Sequence, residues 1–251
     1  MGKAKDIIVK PIKSDIANQF VKKFHYSGKV TNNSKLHFGV FLDGRLHGVA
    51  SFGPGIDKRK TIGLVKNTGW NDFLELNRLA FDDYLPKNSE SRALSVMFKL
   101  LKKNAPHIKW ILSYADGSQC GDGSIYRATG FYLTKITPNK SMWKLPDGNV
   151  VCHLVFSAGF GGTGKDSVKV KYGKTGEFSS WPSVKYLKHL GAEPIEGFQL
   201  RYIFLIDKTC ELNVPILDYS EIYSQGAGMY KGSKVKNEID RKPKTSDDST
   251  K

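Results

Sequence analysis

The spacing of apolar residues divides the chain into recognisable elements. Asp6–Ile12 is short and β-branched and predicts a strand. Ile16, Ala17, Phe20, Val21 and Phe24 follow at helical spacing behind Ser14, a residue suited to an N-cap. That helix is expected to end near His25-Tyr26-Ser27-Gly28. Leu36–Leu42 and Leu46–Phe52 are strand-like runs joined by Asp43-Gly44, a strong hairpin signal. Phe73–Phe81 alternates as a strand and sets Glu75 and Asn77 on one face. Leu94, Met97, Phe98 and Leu101 form the stripe of a helix that opens after Pro86–Arg92 and stops at Asn104 and Pro106. Ile108–Tyr114 reads as a buried strand, Ala115–Gly123 as a loop, Ser124–Thr129 as a short helix, and Phe131–Ile136 as a strand.

This order predicts an α/β (α+β) protein, a mixed sheet flanked by helices with antiparallel first strands and a later βαβ unit. Residues 1–138 form the expected core. Past residue 138 glycines cluster at Gly159–Gly164, among strand-like pieces at Val150–Phe156, Val168–Tyr172 and Leu200–Leu205 and a helical Pro182–Leu190. Residues 139–231 are therefore expected to be an appended β-rich region packed on the core. The polar stretch 232–251 is expected to be a disordered tail.

Composition narrows the class. The 251 residues carry 39 Lys+Arg against 24 Asp+Glu, a net of +15. Residues 1–159 hold 24 of the basic and 12 of the acidic residues, so +12 of that charge lies in the first two thirds. A field of this sign points to a polyanionic partner. An apolar content of 39% with 12% aromatics excludes a disordered chain, and no apolar run reaches a membrane span. The N-terminus has no secretory apolar segment, and Cys120, Cys152 and Cys210 form neither a disulfide framework nor a zinc pattern. A protein of a reducing cytoplasm, with no membrane partner, is the expectation.

Several motifs bear chemistry, each beside a plainer reading. Gly159–Lys165 matches a phosphate loop up to its lysine, but Asp166 stands where a Mg²⁺-binding hydroxyl belongs. Asn88-Ser89-Glu90-Ser91-Arg92 opens the strongest helix, where free N–H groups attract a phosphate or a carbonyl oxygen; taken alone, ordinary capping by Asn88 or Ser89 is the better explanation. Ser113-Tyr114-Ala115-Asp116 lies where a buried strand runs out, the place at which open α/β sheets bind ligands. His25-Tyr26-Ser27 offers acid–base groups, or a helix-terminal histidine cation. Glu75 and Asn77 can line a pocket together or satisfy one another. Tyr126 followed by Gly130-Phe131 is hard to demand from packing alone.

The element order and the late Tyr-x-x-x-Gly-Phe resemble the GCN5-related N-acetyltransferase (GNAT) fold. The strings His25-Tyr26-Ser27, Glu75-Leu76-Asn77-Arg78-Leu79, Pro86-Lys87-Asn88-Ser89-Glu90-Ser91, Ser113-Tyr114-Ala115-Asp116 and Gly123-Ser124-Ile125-Tyr126-Arg127-Ala128 together resemble the Mom DNA-modification proteins of Mu-like phages. Arg201-Tyr202 and Gly226–Gly232 extend the likeness, which covers most of residues 7–232. Two departures stand out: the glycine-rich pyrophosphate loop of acetyltransferases is missing before the long helix, and Cys120-Gly121-Asp122 replaces an expected Gly-His pair.

The resemblance implies an enzyme that converts adenine in double-stranded DNA to N6-carbamoylmethyladenine and protects phage DNA from restriction in the bacterial cytoplasm. It implies Asp116 as the group that orients or deprotonates the amine, Tyr126 as the proton donor to a leaving group, and His25 as a further catalytic residue. Asn88, Ser89, Ser91, Arg92 and Ser113 would hold the donor, and Tyr26, Glu75, Asn77, Arg78 and Tyr114 the adenine. The donor is either an activated glycine such as glycyl-tRNA, which makes charged tRNA a partner, or acetyl-coenzyme A, which needs an extra nitrogen and a change of oxidation level that a metal ion could serve. Two other classes fit the residues: a GNAT-type N-acyltransferase acting on a protein or small amine, and a non-enzymatic basic DNA-binding protein.

Overall fold

The computed structural model describes residues 3–55, 57–117, 122–156, 171–230 and 233–234. The chain divides into two compact units, Met1–Ile136 with Gln199–Lys251, and Thr137–Phe198. In the first, β1 (Ile8–Pro11) leads into α1 (Ser14–Phe24), then β2 (Leu36–Leu42), β3 (Arg45–Gly53), the single turn α2 (Lys58–Thr61) and β4 (Phe73–Phe81). The long helix α3 (Ser89–Asn104) precedes β5 (Trp110–Asp116), α4 (Ser124–Thr129) and β6 (Tyr132–Pro138). The second unit contributes β7 (Met142–Lys144), β8 (Val150–Cys152), α5 (Ser183–His189) and β9 (Glu193–Pro194). The chain then returns as β10 (Phe198–Leu205), α6 (Glu221–Ser224), β11 (Met229–Tyr230) and β12 (Ser233–Lys234).

Seven strands make one sheet in the order β1-β2-β3-β4-β5-β10-β6. The β2–β3 hairpin turns at Asp43-Gly44, both left-handed (φ 50° and 75°), as two-residue hairpins require. β4 and β5 are parallel because α3 carries the chain back between them. The apolar stripe of α1 buries Ala17, Phe20 and Val21 against Val49 and Ala80 of the sheet. α3 buries Ala93, Leu94, Met97, Phe98 and Leu101. A third cluster, Phe73, Trp110, Leu112, Ile203 and Leu205, joins three neighbouring strands; Phe73 and Trp110 stack at 4.5 Å, a contact worth about 1 kcal/mol beyond burial.

Leu200–Leu205 departs from expectation. It is no part of an appended region: β10 is an inner strand, antiparallel to all of β5 from Gln199↔Asp116 to Leu205↔Trp110. Its neighbours in space are separated from it in sequence by the excursion 137–198, so chain order hides the pairing. Within the excursion β8-β7-β9 form a small sheet around Trp143, Leu145, Val151, Tyr186 and Leu187. The expected strand Val150–Phe156 stops at Cys152, because β7 offers only three partners, and His153–Phe156 turn as a 3-10 helix. Lys13 rather than Ser14 occupies the N-cap of α1. Ser233–Lys234 pair with Met229–Tyr230, so the expected tail begins with a strand. The Gly159–Lys165 loop, Val168–Val170, Cys120-Gly121 and residues 235–251 lie outside the described residues. Among the described residues no helix is long and apolar enough to cross a membrane.

Candidate active site

The two parallel strands part. β4 and β5 pair only from Phe73↔Trp110 to Leu76↔Ser113. Beyond that point β4 stays bonded to β3 as far as Phe81, and β5 to β10 as far as Asp116. The cause lies at Asn77. The β3–β4 register passes from Leu76↔Phe52 to Arg78↔Ser51, which leaves Asn77 as the extra residue of a β-bulge. A bulge bends its strand. Gly53 is the register partner of Glu75, and a Cβ on it would stand 2.8 Å from Asn77 Oδ1, so the Asn77 side chain lies on the Glu75 side of the sheet. Asn77 Oδ1 accepts from Ser34 Oγ at 3.0 Å, while Asn77 Nδ2 is buried with no hydrogen-bond partner. Gly53 permits this crossing, since a Cβ there would stand 2.2 Å from Asn33 O and 2.8 Å from Asn77 Oδ1.

Ser113 sits at the fork, fully buried, with Oγ 3.4 Å from Leu76 O and 3.0 Å from the Tyr126 hydroxyl. Two of the expected site residues thus meet. Tyr126 stacks on Tyr202 at 4.8 Å and meets the edge of Phe131 at 5.2 Å. Tyr202 donates to the carbonyl of Asp122, and Tyr223 donates to Asp122 Oδ2 at 3.1 Å. Gly123 begins this turn at φ +68°, and a Cβ on it would lie 2.8 Å from the Tyr202 hydroxyl and 2.9 Å from the Tyr126 ring.

The start of α3 belongs to the same βαβ unit, at the end where β4 and β5 diverge. Ser89 is 0% exposed, and its Oγ is buried with no hydrogen-bond partner. Asn88 is the N-cap in a left-handed conformation (φ 70°) and makes no side-chain cap bond, so the capping reading fails. Ser91 Oγ donates back to Asn88 O at 3.3 Å, and Arg92 is exposed. The structure therefore does not bring Ser91, Arg92 or the Asn88 side chain to Ser89. Ser89 shares the buried stripe with Ala93 at helical spacing; its neighbours do not.

The other face of the fork is polar. Glu75 is buried, and Tyr114 stands in register with Arg201 across β5 and β10. Burial pushes the Tyr114 phenol up; Glu75 and Asp57 add to this and Arg201 opposes it. Arg201 Nε donates to Thr134 Oγ1 at 2.9 Å, and its pKa is lowered by burial. Arg78 donates through Nε to Lys29 O and through Nη1 to Asn77 O, each at 2.7 Å. Its pKa is lowered by burial, against the pull of Tyr26 and Glu75. Burial, aided by the Arg78 charge, brings His25 down to about 4. The ring is neutral at pH 7, not the helix-terminal cation that its position allows. Ser27 N–H donates to its Nδ1 at 3.2 Å, so the neutral ring carries its hydrogen on Nε2. His25 and Tyr26 rings lie 4.3 Å apart. Asp116 ends β5 and alternates onto the Tyr114 face.

The structure thus joins His25, Tyr26, Glu75, Arg78 and Tyr114 on one face, and Ser113 with Tyr126 on the other. It adds Ser34, Arg201, Thr134 and Tyr202. Arg201-Tyr202 already extended the family likeness in the sequence, and a charge inside the apolar run Leu200-Arg201-Tyr202-Ile203 is a second signal for Arg201. Among the described residues, no three His, Cys, Asp or Glu side chains are grouped to hold a metal ion.

Solved N-acetyltransferases are among the structures to which the chain aligns. The ribosomal-protein-S18-alanine N-acetyltransferase of Escherichia coli aligns at a TM-score of 0.42 and 11% identity, covering 80% of this chain and 94% of that one. The spermidine/spermine N-acetyltransferase of Vibrio cholerae aligns at 0.45 and 8%, covering 83% and 97%. In sequence, the chain belongs to the Mom protein family, whose model matches residues 6–221. It is 36% identical over 129 residues to the methylcarbamoylase of Escherichia phage Mu. That alignment covers 51% of this chain and 53% of the phage protein, so the chain spans about half the length of the curated relative it matches.

Proposed function

We propose that the chain is a transferase that modifies the N6 amine of adenine in DNA to N6-carbamoylmethyladenine, protecting the DNA that carries it from restriction. The observation that carries the reading is the fork between β4 and β5, with two buried polar atoms that lack partners: Ser89 Oγ at the start of α3 and Asn77 Nδ2 at the bulge. A buried hydroxyl or amide without a partner costs about 1–3 kcal/mol, and a ligand that bonds to it recovers that cost. The kinship to a phage methylcarbamoylase supports DNA as the acceptor.

In this reading adenine leaves the duplex, because its amine is inaccessible to a side chain while stacked and paired. It enters on the face of Glu75, Arg78 and Tyr114, where Asn77 Nδ2 offers a donor to a ring nitrogen and Asp116 accepts from the amine. The N6 lone pair is delocalised into the ring, so holding it against the donor carbonyl supplies much of the rate. Ser89 Oγ and the N–H groups of the first turn of α3 polarise that carbonyl. Tyr126 gives its proton to the leaving oxygen or sulfur, and Ser113 fixes the phenol.

Residues at the α3 entrance bear on the donor. The stretch from β4 into α3 has no glycine to let the backbone close on the diphosphate of coenzyme A, and its Asp82, Asp83 and Glu90 outnumber Lys87 and Arg92. Activated glycine, as on glycyl-tRNA, fits the atom balance. Transfer of glycyl to N6 gives N–CO–CH₂–NH₂, an isomer of the carbamoylmethyl product N–CH₂–CO–NH₂. Attack of the glycyl amine on C6 through a five-membered ring exchanges the nitrogens: the C6–N bond to the new amine forms and that to the old one breaks. No oxidant is needed. Mass spectrometry of nucleosides from DNA co-expressed with the protein, in cells fed heavy-isotope glycine, tests both parts. Labelled N6-carbamoylmethyladenine is expected. Unlabelled product overturns the donor, and an unmodified adenine pool overturns the function.

A further inference from the structure

Exposure grades outward across the polar face of the fork. Glu75 is 8% exposed, His25 and Arg78 are half-buried, and Tyr26 is 56% exposed. The Tyr26 ring rests on the neutral His25 ring at 4.3 Å, tilted by 31°. Two loops border it. Residues 25–35 are tied to the polar face through Arg78 Nε to Lys29 O at 2.7 Å and Ser34 Oγ to Asn77 Oδ1 at 3.0 Å. They are tied to residues 54–62 through Asn33 Nδ2 to Pro54 O at 2.8 Å. Segments 22–35 and 54–62 together carry seven Lys/Arg and one Asp, which is six of the fifteen net positive charges of the chain. Lys22, Lys29, Lys35, Lys58 and Arg59 are exposed and make no ion pair among the described residues. By contrast the stretch from β4 into α3, residues 82–92, carries three acidic and two basic residues.

We propose that Tyr26 is the wedge that fills the gap left in a DNA duplex by the extruded adenine, and that the loop 25–35 and the turn α2 (Lys58–Thr61) are basic jaws that grip the flanking phosphates. The proposal rests on the adenine-modifying reading above. An aromatic ring that stacks on a base face replaces the lost stacking without reading sequence. A base that reaches the buried carboxylate of Glu75 passes Tyr26 on the way, and the His25 ring behind it stops the phenol from folding inward. Exposed lysines and arginines without internal partners release condensed counterions when they meet phosphates. The half-buried neutral His25 adds no charge that would pull the phosphates past the rim.

The test uses the full chain and matched oligonucleotides in which the target adenine is paired or lies in a mismatch. Tyr26→Ala is expected to lose at least about tenfold more modification rate on the paired adenine than on the mismatched one, since stacking of one base on an aromatic ring commonly contributes this much. Tyr26→Phe should keep the wild-type ratio. Equal losses on both substrates overturn the wedge. A wild-type protein that modifies neither substrate overturns the underlying reading instead. For the jaws, Lys58→Glu and Arg59→Glu should weaken duplex binding and each lower the slope of log affinity against log salt by about one. Unchanged duplex affinity with weakened binding of bulk uncharged tRNA would assign the jaws to tRNA and overturn the proposal.

Discussion

Removing the Ser89 hydroxyl should make the protein more stable and less active. Ser89 is 0% exposed and its Oγ has no hydrogen-bond partner, so folding strips the hydroxyl of water without return. That desolvation costs about 1–3 kcal/mol. Ser89→Ala removes it and leaves a space of one oxygen atom, too small to cost much as a cavity. At about 2–4 °C per kcal/mol for a chain of this size, the melting temperature should rise by roughly 2–12 °C. If the same hydroxyl polarises a donor carbonyl at the start of α3, its loss should reduce DNA modification roughly a hundredfold to a thousandfold, as losing one oxyanion donor does. Thermal unfolding by circular dichroism reads the first effect, and nucleoside mass spectrometry against the wild type reads the second. A lowered melting temperature would show that the hydroxyl is bonded in the folded protein. Unchanged modification would show that it serves no donor. Either result refutes the reasoning, because the argument needs a group that is costly when empty and useful when filled.

Tyr126→Phe keeps the ring on Tyr202 and loses the 3.0 Å contact with Ser113 Oγ, which contributes about 1 kcal/mol, while turnover should fall roughly a hundredfold or more; a turnover loss matched by unfolding would point to packing. His25 has a folded-state pKa of about 4 against an ordinary 6.5, so its contribution is complete above pH 6.5 and is lost as pH falls towards 4. The half-exposed ring reduces this to about 1–2 kcal/mol. Denaturant titrations at both ends of that window should show the drop, and His25→Gln should flatten it; an equal drop in the variant assigns it elsewhere. Gly123→Ala combines φ +68° with contacts of 2.8–2.9 Å to Tyr202 and Tyr126, and should cost at least about 2 kcal/mol. Unaltered stability would mean that the turn before α4 relaxes freely.

Local patterning made most elements legible. The Asp43-Gly44 hairpin, the stripe of α3 and the short α4 closed by Gly130 each follow from residues within one or two turns of one another. What stayed hidden depends on distant pairing. Nothing near Leu200–Leu205 says that this run lies against Trp110–Asp116, because its face is completed by strands far away in sequence. The bulge at Asn77 is equally invisible: Phe73–Phe81 alternates well, and only the β3 register shows that one residue is unmatched. Sequence strings singled out Asn88, Ser89, Ser91 and Arg92 together, yet helical geometry turns Ser89 alone inward.

The bulge is also what gives the fork two unlike sides. If β4 ran straight past Leu76, it would continue to pair with β5, and Ser113 would be sealed between strands. Because Asn77 is extra, β4 bends towards β3, and the last residues of β5 pair only with β10. The gap then opens at the end of the βαβ unit where α3 begins, with the hydroxyls of Ser113 and Tyr126 on one side. Charged and amphipathic groups from Glu75, Arg78, Tyr114 and Arg201 take the other. Two chemically different ligands can meet there without sharing a wall. Restoring the ladder should close the gap: deleting Asn77 puts Leu76 and Arg78 in sequence and would extend β4–β5 pairing past Ser113. Hydrogen exchange should then slow at whichever of the Tyr114 and Ala115 amides points towards β4, while modification is lost. Exchange that stays at the wild-type rate in a folded deletion variant would separate the bulge from the fork.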